Sequence, residues 1–475
     1  MAKGAKSPRA DRMGQQPGPD TIAAIATPVG QAGIGIIRIS GPQALSILKR
    51  IFKPINPEAP LRTRRLYLGH ILDPGSGLCV DEVLATYMKA PYTYTREDIV
   101  EINSHSGYAV LSKVLELVLE SGARLARPGE FTFRAYLNGR IDLTQAEAVA
   151  ELITSRSERG LYLASQQIKG ALKHKINSLR HELIHVLSQV EAAIDFPDEE
   201  DTFLDKTFVV NTLRQSILKQ ITELIEAHSE KKIWVEGIST VIAGRVNVGK
   251  SSLLNRLLDE QRAIVTPVPG TTRDVVESSM SIEGLPIRLM DTAGIREDGD
   301  EIEKLGIQLT EQKLSEADLV LAVLDYSLPI SNEDRGLLNK IKDKPALLVL
   351  NKIDLPSDVK WDEALKGLPE FPTVRVSALT GQGIKQLKKE IVRVVVGSEV
   401  RSAPTAIAPN LRQAKALEQA RQYIENAVSC IHQDAPLEIA ALELRSALDS
   451  LGEIIGETTP EDVLEAIFSN FCIGK

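Results

Sequence analysis

The stretch TVIAGRVNVGKSSLLNRLL, residues 240–258, decides the fold of the middle of this chain. An apolar, strand-like run leads into GRVNVGKS at 244–251, and the apolar-periodic segment SSLLNRLL follows. G-x-x-x-x-G-K-S between a strand and a helix is the pattern of a phosphate-binding loop. Its glycines let backbone N–H groups approach phosphate oxygens closely. Lys250 neutralises the β- and γ-phosphates, and the Ser251 hydroxyl can ligate Mg2+. The N-terminus of the following helix adds free donors and a favourable dipole. Val248, Gly249 and Ser252 belong to the same expected cradle.

The loop alone does not choose between GTP and ATP. NKID at 351–354, which ends the apolar run ALLVLN, does. The Asp354 carboxylate can accept hydrogen bonds from N1–H and the exocyclic amine of guanine. Adenine lacks both donors, so a carboxylate built for guanine would be left unpaired. Asn351 can tie this segment to the phosphate loop, with Lys352 beside it. SAL at 377–379 follows the run TVRV, so Ser377, Ala378 and Leu379 can offer a backbone N–H to the guanine carbonyl. DTAG at 291–294 closes IRLMD. Asp291 is expected in the Mg2+ shell and the Gly294 N–H on the γ-phosphate, with Thr292 and Ala293 between them. Loss of that phosphate would then release the following segment. GTTRD at 270–274 lies where a mobile switch belongs, and Thr272 is the expected second Mg2+ ligand. Pro267, Pro269 and Gly270 lead into it. The residue after DTAG is Ile295, where Ras-like enzymes carry a water-orienting Gln. Another group must therefore position water, and Glu297, Glu301 and Glu303 of REDGDEIEK are the candidates.

Around this centre the texture of the chain changes twice. From Thr21 to about Leu137, short β-like runs such as IIRIS (36–40) and VLATYM (83–88) alternate with turns, and one helical pattern runs over 108–120. That composition reads as an α+β domain over 21–138. Residues 143–193 and 208–232 are helix-periodic and almost free of Gly and Pro, with an acidic turn between them. Apolar strands alternating with helical segments over 235–397 imply a parallel sheet with crossover helices. Helical periodicity returns over 398–475 after a Pro-containing linker at 401–409. The expected architecture is multidomain: a Ras-like α/β domain inserted into a helical domain (139–234 and 398–475), behind an N-terminal α+β domain.

Composition sets limits. The chain has 475 residues and a net charge of −8, so no global basic field points to nucleic acid. A local patch is still open, because attraction depends on where charges sit. Three scattered cysteines, Cys79, Cys430 and Cys472, do not make a disulfide framework and suit a reducing cytoplasm. Residues 1–20 are polar and read as a disordered extension without the apolar core of a signal peptide. No apolar run approaches the ~18 residues of a membrane span.

Other segments carry a family likeness. GIIRISG (35–41), ARPGEFTFRAYLNGRIDLTQAEAVAELI (126–153), EAAIDFPDEE (191–200) and FCIGK (471–475), together with GRVNVGKSSLLN and GTTRD, resemble the MnmE/TrmE family of tRNA-modification GTPases from about Thr21 to Lys475. The resemblance implies that the protein works with an FAD-dependent partner, GidA/MnmG, as a heterotetramer. Together they would install an aminomethyl or carboxymethylaminomethyl group on carbon 5 of the wobble uridine of certain tRNAs. It implies a homodimer formed by the N-terminal domain, which would also bind 5-formyl- or 5,10-methylene-tetrahydrofolate. The folate contacts carried over are Arg38, Glu101, Arg140 and Lys475. Arg140 stands where some members have Lys, so a bidentate contact there can differ. The resemblance also implies a K+ ion in place of an arginine finger, held by Asn247, Thr266, Val268 and Thr271, and selects Glu303 as the water-orienting group. A cation between the phosphates offsets developing charge as an arginine does. Cys472 has two readings, apolar filler or reactive thiol, the second requiring a lowered pKa.

Some signals are set aside. HELIH (181–185) offers only two histidines where zinc hydrolases need three ligands. GQAGIG (30–35) precedes a strand, whereas a dinucleotide fingerprint lies between a strand and a helix. His105 is expected to be satisfied locally. A ribosome-assembly GTPase is the alternative reading, but the segment after the GTPase motifs lacks the GXXG loop of a KH domain.

Overall fold

The computed structural model describes residues 20–28, 30, 32–58, 60–155, 157–196, 204–235, 237–259, 278–290, 314–396, 407–469, 471 and 473–474. The chain opens with β1 (Ile22–Ile25), β2 (Gly35–Ser40), α1 (Ala44–Ile51), β3 (Phe52–Pro54), β4 (Leu66–Leu72), β5 (Cys79–Met88), β6 (Ile99–Ser104), α2 (Tyr108–Glu120) and β7 (Arg124–Leu125). The strands form one seven-stranded sheet in the order β3-β4-β5-β6-β2-β1-β7, antiparallel except for the β1–β7 pair. Helix α1 carries Ala44, Ile47, Leu48 and Ile51 on one stripe, and α2 carries Leu111, Val114, Leu117 and Val118. Both stripes pack with Ile37, Ile39, Val83, Ala85 and Ile102 of the sheet. Alternation along the strands sends the intervening residues, Arg38 and Glu101 among them, to the opposite face.

α3 (Glu130–Leu137) and α4 (Leu143–Thr154) follow. The helix-periodic stretch from Leu143 is not continuous. It breaks after α4, again at Gly170 between α5 (Glu158–Ile168) and α6 (Ala171–Asp195), and resumes as α7 (Lys206–Asn211), a π-helical stretch Thr212–Leu218 and α8 (Lys219–Val235). Gly170 has φ 87°, a left-handed conformation that ends one helix and lets the next begin.

The α/β segment contains β8 (Ile238–Ala243), α9 (Lys250–Asp259), β9 (Ser278–Ile282), β10 (Leu285–Met290), β11 (Leu319–Asp325), α10 (Asn332–Lys340), β12 (Ala346–Asn351), α11 (Trp361–Ala364), β13 (Thr373–Arg375) and α12 (Ile384–Val396). Its sheet order is β13-β12-β11-β8-β10-β9. Five strands are parallel, as expected from the apolar runs. The sixth is a correction: β9 pairs antiparallel with β10. Its sequence, SSMSI, is too polar to read as a buried strand, yet Met280 and Ile282 enter the core. Glu283 and Gly284, both at positive φ, form the two-residue turn that folds β9 onto β10.

The chain ends with α13 (Leu411–His432), α14 (Leu437–Ile455) and α15 (Glu461–Ser469). The described residues form two compact units: those within Met1–Ala150, Gln167–Leu213 and Gln422–Lys475, and those within Glu151–Gln166 and Arg214–Arg421. In the first unit α6 packs against α14, and Arg445 pairs with Glu191 at 2.7 Å between them. In the second, Trp234 of α8 belongs to the core under β8–β10, and the Arg159 guanidinium lies 4.2 Å from the centre of its ring.

Candidate functional site

In the second unit the phosphate loop, NKID and SAL meet at the carboxyl edge of the sheet. β8 is flanked by β10 and β11, so successive connections leave to opposite sides and open a crevice beyond its end. The phosphate loop occupies that position. Gly244 has φ 152°, and a Cβ there would collide with the Val323 carbonyl of β11. Gly249 has φ 94°, and a Cβ would collide with the Asn351 amide. The two glycines are therefore required by close backbone approach as well as by conformation. Lys250 Nζ donates to the carbonyls of Gly244 and Arg245, 2.8 Å to each. Ser251 and Ser252 open α9 with exposed side chains, and Asn247 sits exposed at φ 61°.

Asn351 is the keystone. Its Nδ2 donates to Val248 O at 2.8 Å, and its Oδ1 accepts from Ala378 N at 3.0 Å. One buried side chain thus fixes the phosphate loop to the SAL turn, and the sequence expectation for Asn351 corresponds to a made contact. Ser377 is buried, and its hydroxyl accepts from Thr380 N at 3.0 Å, closing that turn. Leu379 is exposed at its tip, and Asp354 is exposed at the end of NKID. Lys352 stands at φ 67° and donates to Asp325 Oδ2 at 2.7 Å. Burial alone would raise the Asp325 carboxyl, but hydrogen bonds from Lys352 and Ser327 hold it below the usual carboxylate range.

The first unit assembles a different site. Arg38 and Glu101 face each other across the β2–β6 register and pair at 2.8 Å. Arg38 Nη1 also donates to Gly474 O at 3.2 Å. Gly474, at φ 93°, lies so close to β1 that a Cβ would be 2.5 Å from Ile25 O. Gly474 therefore lies against β1, the neighbour of β2, and within reach of the Arg38 side chain. Arg38 also lies over the Phe131 ring at 5.8 Å. Phe131 packs with Tyr94, and Arg140 stacks over Tyr94 at 4.7 Å while donating to Tyr94 O at 3.2 Å. Three of the four carried-over folate positions thus join one aromatic cluster directly or through their pairing.

Much of ARPGEFTFRAYLNGR proves to be scaffold. Gly129 has φ 68°, and a Cβ would lie 2.5 Å from Phe468 O, so only glycine admits α15 there. Phe133, Tyr136, Phe468 and Phe471 pack together, with Phe133 and Phe468 edge to face at 5.0 Å. Arg134 and Glu130 are buried and pair at 3.0 Å, and Arg124 joins Glu130 at 2.5 Å. Asp20, within the stretch that composition assigns to the extension, pairs with Arg124 and Arg134. Burial by itself would raise both the Asp20 and Glu130 carboxyls, yet the two arginines hold both below the usual range. His105 is met locally, as expected, by Asp81 at 2.7 Å.

Two family models match the chain: "MnmE helical domain" over residues 143–472 and "GTP-binding protein TrmE N-terminus" over residues 21–140. The chain belongs to the MnmE/TrmE family. The tRNA modification GTPase MnmE of Syntrophobacter fumaroxidans is 47% identical over 462 residues, covering 96% of this chain and 98% of that protein. The tRNA modification GTPase MnmE of Alkaliphilus metalliredigens is 44% identical over 460 residues, with 96% and 99% covered. A crystal structure of an Aquifex aeolicus Era variant bound to GDP.AlF4- is 31% identical and covers 39% of this chain and 66% of its own, but its TM-score of 0.28 is too low to bear on the fold.

In this MnmE-family chain several expected residues lie outside the described ones: Thr266, Pro267, Val268, Pro269, Gly270, Thr271, Thr272, Asp291, Thr292, Ala293, Gly294, Glu303, Cys472 and Lys475. Sequence reading also missed contributors. Arg256, on α9, donates to Ala378 O at 2.9 Å and to Leu379 O, holding the SAL turn from below. Arg245 of the phosphate loop donates to buried Asp334 at 2.9 Å, and Asp334 is itself part of the capping box of α10. Asp325 had a visible signal, a carboxylate closing an apolar strand. Arg256 had none, because its partners are backbone carbonyls far along the chain. No helix among the described residues is long and apolar enough to cross a membrane.

Proposed function

We propose that this protein is a K+-stimulated, Mg2+-dependent GTP hydrolase that modifies the wobble uridine of certain tRNAs, a reading finer than the tRNA-modification GTPase name its relatives carry. The single observation that carries the nucleotide part is the Asn351 bridge, which locks a phosphate loop to the NKID and SAL segments. GTP suits this edge because the loop opens onto the N-terminus of α9, whose free backbone donors favour phosphate, and Lys250 caps the loop carbonyls from the same side. Val248, Gly249, Lys250, Ser251 and Ser252 would cradle the phosphates. Asn351, Lys352, Asp354, Ser377, Ala378 and Leu379 would enclose guanine. Ser251 and Thr272 would ligate Mg2+, with Asp291 in its outer shell. Asn247, Thr266, Val268 and Thr271 would hold K+, and Glu303 would orient the attacking water, since Ile295 cannot. A potassium ion supplies the positive charge that an arginine supplies in other GTPases.

The first unit would serve the one-carbon chemistry. A tetrahydrofolate fits Arg38, Glu101, Arg140 and Lys475 in charge: arginines suit the glutamate carboxylates, and a carboxylate suits the donor edge of the pterin. Cys472 lies two residues before Gly474, which touches Arg38, and this supports placing the CIGK segment beside the folate. Pairing of two chains through residues 21–138 and association with the FAD-dependent GidA/MnmG partner complete the reading. So does insertion of a GTPase domain (235–397) between two helical segments (139–234 and 398–475), which the packing of α6 on α14 supports.

The deciding experiment is mass analysis of wobble nucleosides in tRNA from cells lacking the protein. Unmodified wobble uridine is the expected result, and a normal profile overturns the pathway. Replacing Na+ with K+ should raise GTP hydrolysis steeply; equal rates in the two salts would remove the K+ assignment alone.

A further inference from the structure

One charged surface of the first unit has no role in the site above. Arg62, Arg64 and Arg65 precede β4, Lys89 follows β5 and Arg96 lies in the loop before β6. All five side chains are exposed. Short hydrogen bonds draw these segments together. Arg64 N donates to Tyr87 O at 2.7 Å, Lys89 N to Thr63 Oγ1 at 3.0 Å, Arg64 Nη2 to Tyr92 O at 2.8 Å and Arg96 Nη1 to Asn138 O at 2.8 Å. Among the described residues, none of the five cations is paired with a carboxylate. The acids of the same loop are committed elsewhere: Glu97 to Arg134 and Ser40, Asp98 to Tyr87 and Ala90. Five unopposed cations thus gather on a chain whose net charge is −8.

Two further features separate this patch from an ordinary solvated surface. Tyr92 is 81% exposed, and its ring is stacked by Arg64 at 5.9 Å. An exposed aromatic face beside arginines is what an unstacked nucleobase and its phosphates require. Arg64 and Arg96 also stand at φ 62° and 59°, a left-handed conformation that disfavours side chains larger than glycine. The backbone is strained at two positions where the side chain is a guanidinium facing solvent. Backbone strain of this kind clusters at functional sites.

We propose that this surface binds an RNA strand, with its phosphates on Arg62, Arg64, Arg65, Lys89 and Arg96 and one splayed base on Tyr92. The proposal rests on the tRNA-modifying reading above and adds where the substrate docks. The loop that carries Tyr92 also carries Tyr94, over which Arg140 stacks. An RNA strand seated here would bring a base next to the proposed folate contacts.

Fluorescence anisotropy tests this with the full chain and a labelled anticodon stem-loop RNA bearing uridine at the wobble position. The double variant Arg64→Gly/Arg96→Gly relieves both left-handed positions, so its melting temperature should be kept or raised. Its RNA affinity should fall tenfold or more, and the slope of log affinity against log salt should shrink by about 0.7 for each phosphate no longer neutralised. Tyr92→Leu should weaken binding by about tenfold with the slope unchanged. GTP hydrolysis in the absence of RNA should be unaffected in both. Variants that bind RNA like the wild type, while the wild type binds well, overturn this surface and leave the tRNA reading standing. A wild-type chain that hydrolyses GTP but has no affinity for the RNA overturns that reading and the surface with it. A shift in mass by light scattering, in place of a shift in RNA affinity, would assign the patch to a second copy of the chain and overturn the proposal.

Discussion

The six-stranded and seven-stranded sheets build their candidate sites in opposite ways. In the six-stranded sheet the strands that carry the motifs are parallel, so each one ends at the same edge and delivers its following loop there. The phosphate loop, NKID and SAL are each continuous stretches, and the fold only has to bring their strand ends into line. In the antiparallel seven-stranded sheet Arg38 and Glu101 lie within strands, and their meeting depends on the β2–β6 register. The third participant, Gly474, lies 436 residues from Arg38 along the chain. A site of the first kind survives as readable motifs. A site of the second kind is a product of register and of the packing of α15, and leaves only scattered single residues in the sequence.

The contrast can be broken by mutation. The largest effect should follow Glu303→Ala: GTP affinity is kept while kcat falls at least about 100-fold, as when a transition-state contact is removed. Single-turnover hydrolysis beside nucleotide titration checks this, and an unchanged kcat would move the role to Glu297 or Glu301. Next, Asn351→Ala strips partners from the Val248 carbonyl and the Ala378 N–H together. Each buried group left unpaired costs ~1–3 kcal/mol, so calorimetric GDP affinity should fall by at least one order of magnitude. Retained affinity would show that the phosphate loop does not need the bridge.

In the first unit the corresponding test is Gly129→Ala. It places a Cβ against Phe468 at a left-handed position, and the expected loss is ~1–3 kcal/mol. Folate affinity should drop with it, because the segment after α15 carries Gly474, while basal GTP hydrolysis should stay at the wild-type rate. Parallel loss of both activities would contradict the separation of the two sites. The smallest effect is on acid stability. Asp20 and Glu130 in the first unit and Asp325 in the second have folded-state pKa values below their unfolded values. Such groups stabilise the fold above their unfolded pKa, about 4, and lose that contribution as pH falls through the lower, folded one. Denaturant melts followed from pH 6 to pH 3 should therefore weaken as pH falls below ~4. Glu130→Gln should flatten that decline more than Asp325→Asn, because Glu130 serves two arginines and Asp325 a single lysine.

The elements that sequence patterning missed share a physical cause. Strand β9 was invisible because three of its five residues are serines, and only the turn at Glu283–Gly284 folds it onto an apolar neighbour. The breaks between Thr154 and Glu158, the bounds of α4 and α5, and at Gly170 were hidden by a periodicity that continues across them. Arg256 and Arg245 acquired their roles from tertiary partners, a carbonyl pair and a buried capping carboxylate, that nothing near them in the sequence announces.

By itself the sequence determined the nucleotide class, the strand–loop–helix order around Lys250, and the family, because those depend on local residue identities at short spacing. Only the tertiary structure decided that Asn351 bridges two loops and that Arg38 meets both Glu101 and Gly474. It alone decided that Gly129 and Gly474 are obligatory, and that the segments carrying Arg64 and Lys89 meet beside the exposed ring of Tyr92. Each of these is a contact between residues distant along the chain, and strand register and helix packing, rather than composition, set which distant residues meet.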